Sequence, residues 1–174
     1  SVEAFVQKDL FNPERQILGQ EQEAWLKNEL QTSRARGATW QVLGQQVLMG
    51  KLNIPVIPPE ELAELKLSEY AQPRVDQAQQ LAPYGLPVNL DAWDGYPAAR
   101  TRLFDMLSAH ATNPISLAGD THNSWAFNMT NTKGEAVGVE WGTPSISSPS
   151  IEEWVPLPPE QMQTLLKGAN PELV

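Results

Sequence analysis

The sequence predicts a mixed α/β domain, on three observations. Two segments carry helical periodicity with clear start and stop signals. A short apolar run bounded by Pro114 and Gly119 follows the second of them directly. After it come two alternating segments separated by a turn sequence. In order along the chain these read helix, strand, irregular excursion, helix, strand and hairpin.

The first helix is expected over Gln20–Arg36. Trp25, Leu26 and Leu30 supply its apolar stripe, and Gly37 stops it. Ala38–Met49 changes period. Trp40, Val42 and Val47 with intervening polar residues predict a strand, with Gly44 as a bulge. Residues 51–90 predict an irregular insert, with helical patches near Glu60–Leu67 and Arg74–Leu81. Pro97–Ala111 is the second helix. Pro97 suits its first turn, and Ala99, Leu103, Met106 or Leu107, and His110 share one side, with Arg100 and Arg102 leaving on others. Asn113-Pro114 ends the helix, and Ile115–Ala118 reads as a buried strand. Trp125–Thr130 and Ala136–Trp141 form a hairpin around Asn131-Thr132-Lys133-Gly134. A Ser/Pro loop over Pro144–Pro149 precedes a last helix, Pro158–Lys167, with Gly168 at its end.

The chain has 174 residues, enough for one domain with a core. Its formal net charge of −9 argues against non-specific binding to nucleic acid or to anionic membranes, both of which need a basic face. It does not exclude an anionic substrate, because a bound metal inverts the local field. No apolar run approaches the roughly 20 residues of a membrane span. No signal peptide is visible, so a mature or trimmed form is expected. The absence of cysteine removes disulfides, thiolate metal sites and thiol nucleophiles together. Six Trp are many for this length and read as core and groove anchors, and 15 Pro imply long connections between few elements.

Three clusters carry candidate chemistry. In Gly119-Asp120-Thr121-His122-Asn123-Ser124-Trp125, Asp120 and His122 sit at the carboxyl end of a strand, where open α/β sheets place ligands. Carboxylate and imidazole there could bind a metal. The plainer alternative is that Asp120 caps a turn and His122 bonds to backbone. Asn123 and Ser124 either bind phosphate or finish the turn. In Asn89–Arg100, two acids and two aromatics precede a helix amino terminus, which favours anions. Arg100 pairs with Asp94 or with a ligand. Alternatively Asp94 caps the helix while Trp93 and Tyr96 staple the loop. Gln45 and Gln46 line a site, or Gln45 faces solvent. His110, in a last helical turn, reads as structural.

Ile17–Leu26, Gly44–Val47, Trp93-Asp94-Gly95-Tyr96-Pro97-Ala98-Ala99-Arg100, Gly119–Trp125 and Val139-Glu140-Trp141 leading to Ser145–Ser148 occur in an informative order. With these motifs the chain resembles the alkaline phosphatase D family of calcineurin-like metallophosphoesterases. The resemblance spans most of the chain and is weakest over Leu52–Leu90. It implies part of a four-layer α-β-β-α sandwich and hydrolysis of phosphomonoesters or phosphodiesters with iron, calcium, zinc or manganese ions. It implies Asp120, His122 and Arg100 as catalytic groups, with Asp120 and His122 also binding metal. Asn123, Trp93 and Tyr96 would bind substrate, with Asp94 and Gln46 in support. Two features depart from the family. The pair Gln45-Gln46 stands where the family has Asn-Gln, and its main metal-binding half has no counterpart in residues 1–16. The chain is therefore expected to be the carboxyl-terminal part of a catalytic domain, holding an incomplete metal site and inactive alone. It would meet a phosphate ester, and would pair with the missing half or form a homodimer through an exposed sheet face. The family suggests a periplasmic or secreted location. The rival readings are a binding or structural module with an aromatic contact surface, and a metal-free hydrolase using His122 as base with Asp120 orienting it. The latter lacks a nucleophile, since Ser124 sits in no strand–nucleophile–helix turn.

Overall fold

The computed structural model describes residues 1–153 and 155–174. Helix α1 (Val2–Phe5) runs into a π-helical turn, Val6–Leu10, and α2 spans Gln20–Ala35. Strand β1 is Gln41–Gly44. Helices α3 (Pro59–Glu64) and α4 (Gln72–Leu81) follow, then 3-10 turns at Ala82–Tyr84 and Trp93–Gly95 and α5 (Pro97–His110). The chain continues through β2 (Pro114–Ala118), β3 (Trp125–Thr130), β4 (Ala136–Gly142) and α6 (Pro159–Ala169).

The four strands form one sheet in the order β1-β2-β4-β3. β1, β2 and β4 run parallel to one another, and β3 pairs antiparallel with β4. The expected hairpin is present. Asn131 Oδ1 accepts from the Lys133 and Glu135 amides, and Gly134 takes the left-handed conformation that closes the turn. Its second arm, not its first, lies beside β2. Residues 172–174 run along the outer edge of β3, bridging Phe127 to Leu173, and so cover part of that edge.

The two sheet faces differ sharply. On one, α2 and α5 bury Leu30, Leu43, Trp93, Leu103, Phe104 and Met129 together. Beside that cluster, α6 packs Met162 and Leu166 on Ala118, Trp125 and Phe127. On the other face Val42 is 60% exposed, Leu117 48% and Trp141 55%. The register places Leu117 between Gly44 and Trp141, so these apolar residues are adjacent.

Several sequence expectations need correction. Only Gln41–Gly44 of the expected strand 38–49 forms β1. The chain then leaves the sheet and crosses its buried face, because side-chain acceptors rather than a neighbouring strand satisfy its amides. Glu140 accepts from the Met49 and Gly50 amides at 2.7–3.0 Å. Glu172 accepts from Lys51, Asp94 from Leu52, and Asn170 from Asn53. The crossing is close enough that a Cβ on Gly50 would meet the Phe127 ring at 2.3 Å. Trp25, expected in the apolar stripe of α2, is exposed, while Leu30 is buried. Arg100, expected to leave α5 away from the core, is buried. Asp94 does not cap α5, which has no side-chain cap. The excursion after β1 is tied at its base by the pairing of Asn53 with Pro87. Of the six Trp, Trp93 and Trp125 are core anchors, Trp25, Trp40 and Trp141 are exposed, and Trp154 lies outside the described residues.

Candidate active site

Strand β2 ends at Ala118, and the chain turns at once. Asp120 and His122 take φ values of 73° and 63°, and they are the non-glycine residues with positive φ among those described. The left-handed region costs a side-chain-bearing residue about 1–2 kcal/mol. Two such residues flanking Thr121 mark a turn whose shape is set by its surroundings, as at many functional sites. The Thr121 hydroxyl accepts from the Trp125 indole at 2.6 Å, and the Ser145 amide donates to the His122 carbonyl. Both exposed side chains point into a cavity of about 440 Å³.

The functional groups there are held by protein partners. His122 Nδ1 lies 3.1 Å from the Pro149 carbonyl. A carbonyl only accepts, so Nδ1 is the donor, and in the neutral ring Nε2 is the acceptor nitrogen. Asn89 Nδ2 donates to Asp120 Oδ2 at 3.3 Å. Asn123 is buried, and its carboxamide is engaged with protein: Nδ2 donates to both Glu152 oxygens at 3.0–3.1 Å, and Oδ1 accepts from the Ile151 amide. The Ser150 hydroxyl also donates to Glu152, and this bond, more than that from Asn123, holds the Glu152 carboxyl below its usual range. Asn123 thus locks residues 149–152, which carry the carbonyl that orients His122.

The Trp93–Arg100 cluster lies elsewhere, and none of its residues lines this cavity. Trp93 is buried and donates its indole N–H to Gln45 Oε1 at 3.0 Å. That bond answers what Gln45 does. Gln46 is exposed. The Tyr96 ring sits under the Arg15 guanidinium at 4.4 Å. Arg100 pairs with Glu172 at 2.6 Å, donates to the Met49 carbonyl and lies over Phe104. Burial lowers its pKa, opposed chiefly by Glu172, then by Asp94 and Glu140.

Glu140 and Glu172, beside Arg100, are the residues that sequence reasoning missed. Glu140 is fully buried at the centre of the packed sheet face. It also accepts from the Ser116 hydroxyl at 2.7 Å. Desolvation raises its carboxyl pKa, against the amides of Met49 and Gly50. Glu172 additionally holds the Thr130 amide and hydroxyl. Burial pushes the Asp94 carboxyl up to about 6, with the Leu52 amide and Arg100 opposing. The one available signal was a charge between Val139 and Trp141 in a strand pattern.

Asp120 and His122 have the donor chemistry of a metal site. Among the described residues, however, no group of three or more His, Cys, Asp and Glu converges. Two donors do not fill a coordination shell.

A mixed sheet flanked by helices, with a constrained Asp-x-His turn at a strand's carboxyl end, defines an α/β scaffold with a candidate site at one strand end. The chain belongs to the PhoD-like phosphatase family, whose profile matches residues 2–174. It is similar to alkaline phosphatase D of Bacillus subtilis (strain 168), at 34% identity over 142 residues, covering 79% of this chain and 19% of that protein. A solved structure of PhoD superposes with a TM-score of 0.61 at 28% identity, covering 94% of this chain and 26% of the other. The chain thus spans about a fifth to a quarter of the lengths of these relatives.

Proposed function

We propose that the protein carrying residues 1–174 hydrolyses phosphate esters, monoesters or diesters, in a metal-dependent reaction, with Asp120 and His122 at the reacting end of the cavity. One observation carries the reading. The Pro149 carbonyl holds His122 Nδ1, which makes Nε2 the acceptor nitrogen of the neutral ring, on a turn that lines the cavity in two uncommon backbone conformations. Nε2 there accepts a proton, receives a hydrogen bond or binds a cation. Asp120 and His122 would be two of the metal ligands, with further donors supplied from outside residues 1–174. A metal held there would offset the charge of a phosphate beside the Asp120 carboxylate.

Asn123 and Asp94 act in this reading by position. Asn123 fixes the 149–152 loop through Glu152. Asp94 and Arg100 fix residues 49–52. Trp93 and Tyr96 hold the entry to α5, and Gln46 serves no contact in the cavity. The exposed apolar sheet face fits a second sheet of the family's sandwich, or a second copy of the chain. The family's location outside the cytoplasm carries over as part of the same proposal.

The test is hydrolysis of bis(4-nitrophenyl) phosphate and 4-nitrophenyl phosphate with and without a chelator, beside His122→Gln. Loss on chelation and on substitution supports the reading. Turnover indifferent to both sinks it. The alternative, a binding module, draws on exposed Trp40 and Trp141. It would show ligand capture that depends on those residues and not on His122.

A further inference from the structure

The cavity beside Asp120 and His122 is far larger than a phosphate needs, and its walls are mostly apolar. Leu52, Ile57, Val75 and Ala78 from the excursion after β1 face Leu157 and Leu165 from the carboxyl-terminal segment. The polar side chains of the Asp-x-His turn lie with Asn89, which donates to Asp120, while Gln79 on the α4 wall is engaged by the Ile57 amide and the Pro55 carbonyl, and Ser150 by Glu152. At about 440 Å³ the space falls within the range of sites that enclose a small organic group, and a few polar groups converging on an apolar hollow is the signature of such sites. A sugar or polyol placed there would leave its hydroxyls without partners along the walls. Arg74 also lines the cavity, its guanidinium held over the Tyr70 ring at 3.7 Å, and adds a positive charge.

We propose that this cavity binds the apolar alcohol portion of the phosphate ester, so that the preferred substrates are esters of hydrocarbon alcohols of medium length. The proposal rests on the phosphoesterase reading of Asp120 and His122 and names its substrate class. The phosphate lies at the Asp120–His122 end. The hydrocarbon extends between α4 and α6, and Arg74 favours an anion over a neutral alcohol. Two parts of the chain distant in sequence therefore set specificity, and the excursion over 51–90 is a substrate-binding element.

The experiment is calorimetric titration of the metal-loaded protein carrying residues 1–174 with inorganic phosphate, butyl, hexyl and octyl phosphate below their micellar concentrations, and octanol. The variants are Ala78→Phe and Leu165→Phe, which fill the cavity from opposite walls, and His122→Gln. Thermal unfolding confirms that each is folded, and two independent walls guard against one variant failing. Affinity is expected to rise with chain length by up to about fourfold per methylene. Either filling variant should weaken octyl phosphate at least tenfold and leave inorganic phosphate unchanged. His122→Gln should weaken every phosphate. Equal affinity across the series, with phosphate binding still dependent on His122, overturns the proposal and leaves the phosphoesterase reading standing. Octanol binding as tightly as octyl phosphate, unaffected by His122→Gln, overturns the proposal and counts against that reading as well.

Discussion

Replacing Glu140 by alanine removes the acceptor for three buried donors at once: the Met49 and Gly50 amides and the Ser116 hydroxyl. A buried donor left without a partner costs about 1–3 kcal/mol, so three cost roughly 3–9 kcal/mol. Arg100 also loses a nearby anion in a site from which water is excluded. Set against a total stability of about 5–15 kcal/mol for a domain, Glu140→Ala should leave the chain largely unfolded at 37 °C. Glu140→Gln separates acceptor geometry from charge. Its one oxygen can keep the Met49 and Gly50 amides, and its amide can donate to Ser116, so the loss should be smaller by several kcal/mol. Urea unfolding followed by tryptophan fluorescence measures both, with Trp93 and Trp125 reporting from the core. A Glu140→Ala protein within about 1 kcal/mol of the parent would refute the claim that this carboxylate anchors the crossing segment.

Other expectations follow from the same contacts. Asp94 has a folded pKa of about 6 against an ordinary 3.8, so its contribution to stability is full below about pH 4 and is lost as pH rises through about 6. The difference is about 3 kcal/mol, so denaturation at pH 4 and pH 8 should show Asp94→Asn gaining about that much on the parent at the higher pH. Gly50→Ala drives a Cβ into the root of the Phe127 ring and should cost about 1–3 kcal/mol or more in thermal unfolding. Asp120→Gly relieves the left-handed strain at φ 73°, so its stability should stay within about 1 kcal/mol of the parent while hydrolysis is lost. A chelator should abolish turnover without changing the unfolding midpoint of residues 1–174, since no group of metal donors among the described residues supports their core.

The helices and the hairpin were legible because each carries its own local signal: the periodicity and Gly37 stop of α2, Pro97 at the start of α5, and the Asn131–Gly134 turn. The Asp-x-His turn was legible for the same reason, lying at the end of a short apolar run. Strand β1 was misjudged because alternation continues past Gly44, whereas the amides beyond it meet Glu140, Glu172 and Asp94. Glu140 lies 91 positions from Met49 in the chain. No window of local pattern contains such a contact. Arg100 was misplaced for a related reason. A charge on a helix reads as solvated unless its counterion is known, and Glu172 lies 72 residues away. The cavity was invisible because its walls come from α4 and α6, neither of which is strongly apolar in isolation.

The most direct test of the central claim is the rate of bis(4-nitrophenyl) phosphate hydrolysis by the protein carrying residues 1–174, compared with its His122→Gln variant at matched metal concentration and verified fold. The account predicts a fall in kcat of about 100-fold or more. A variant that retains the parent rate would contradict it, and would leave the constrained Asp-x-His turn as a structural feature only.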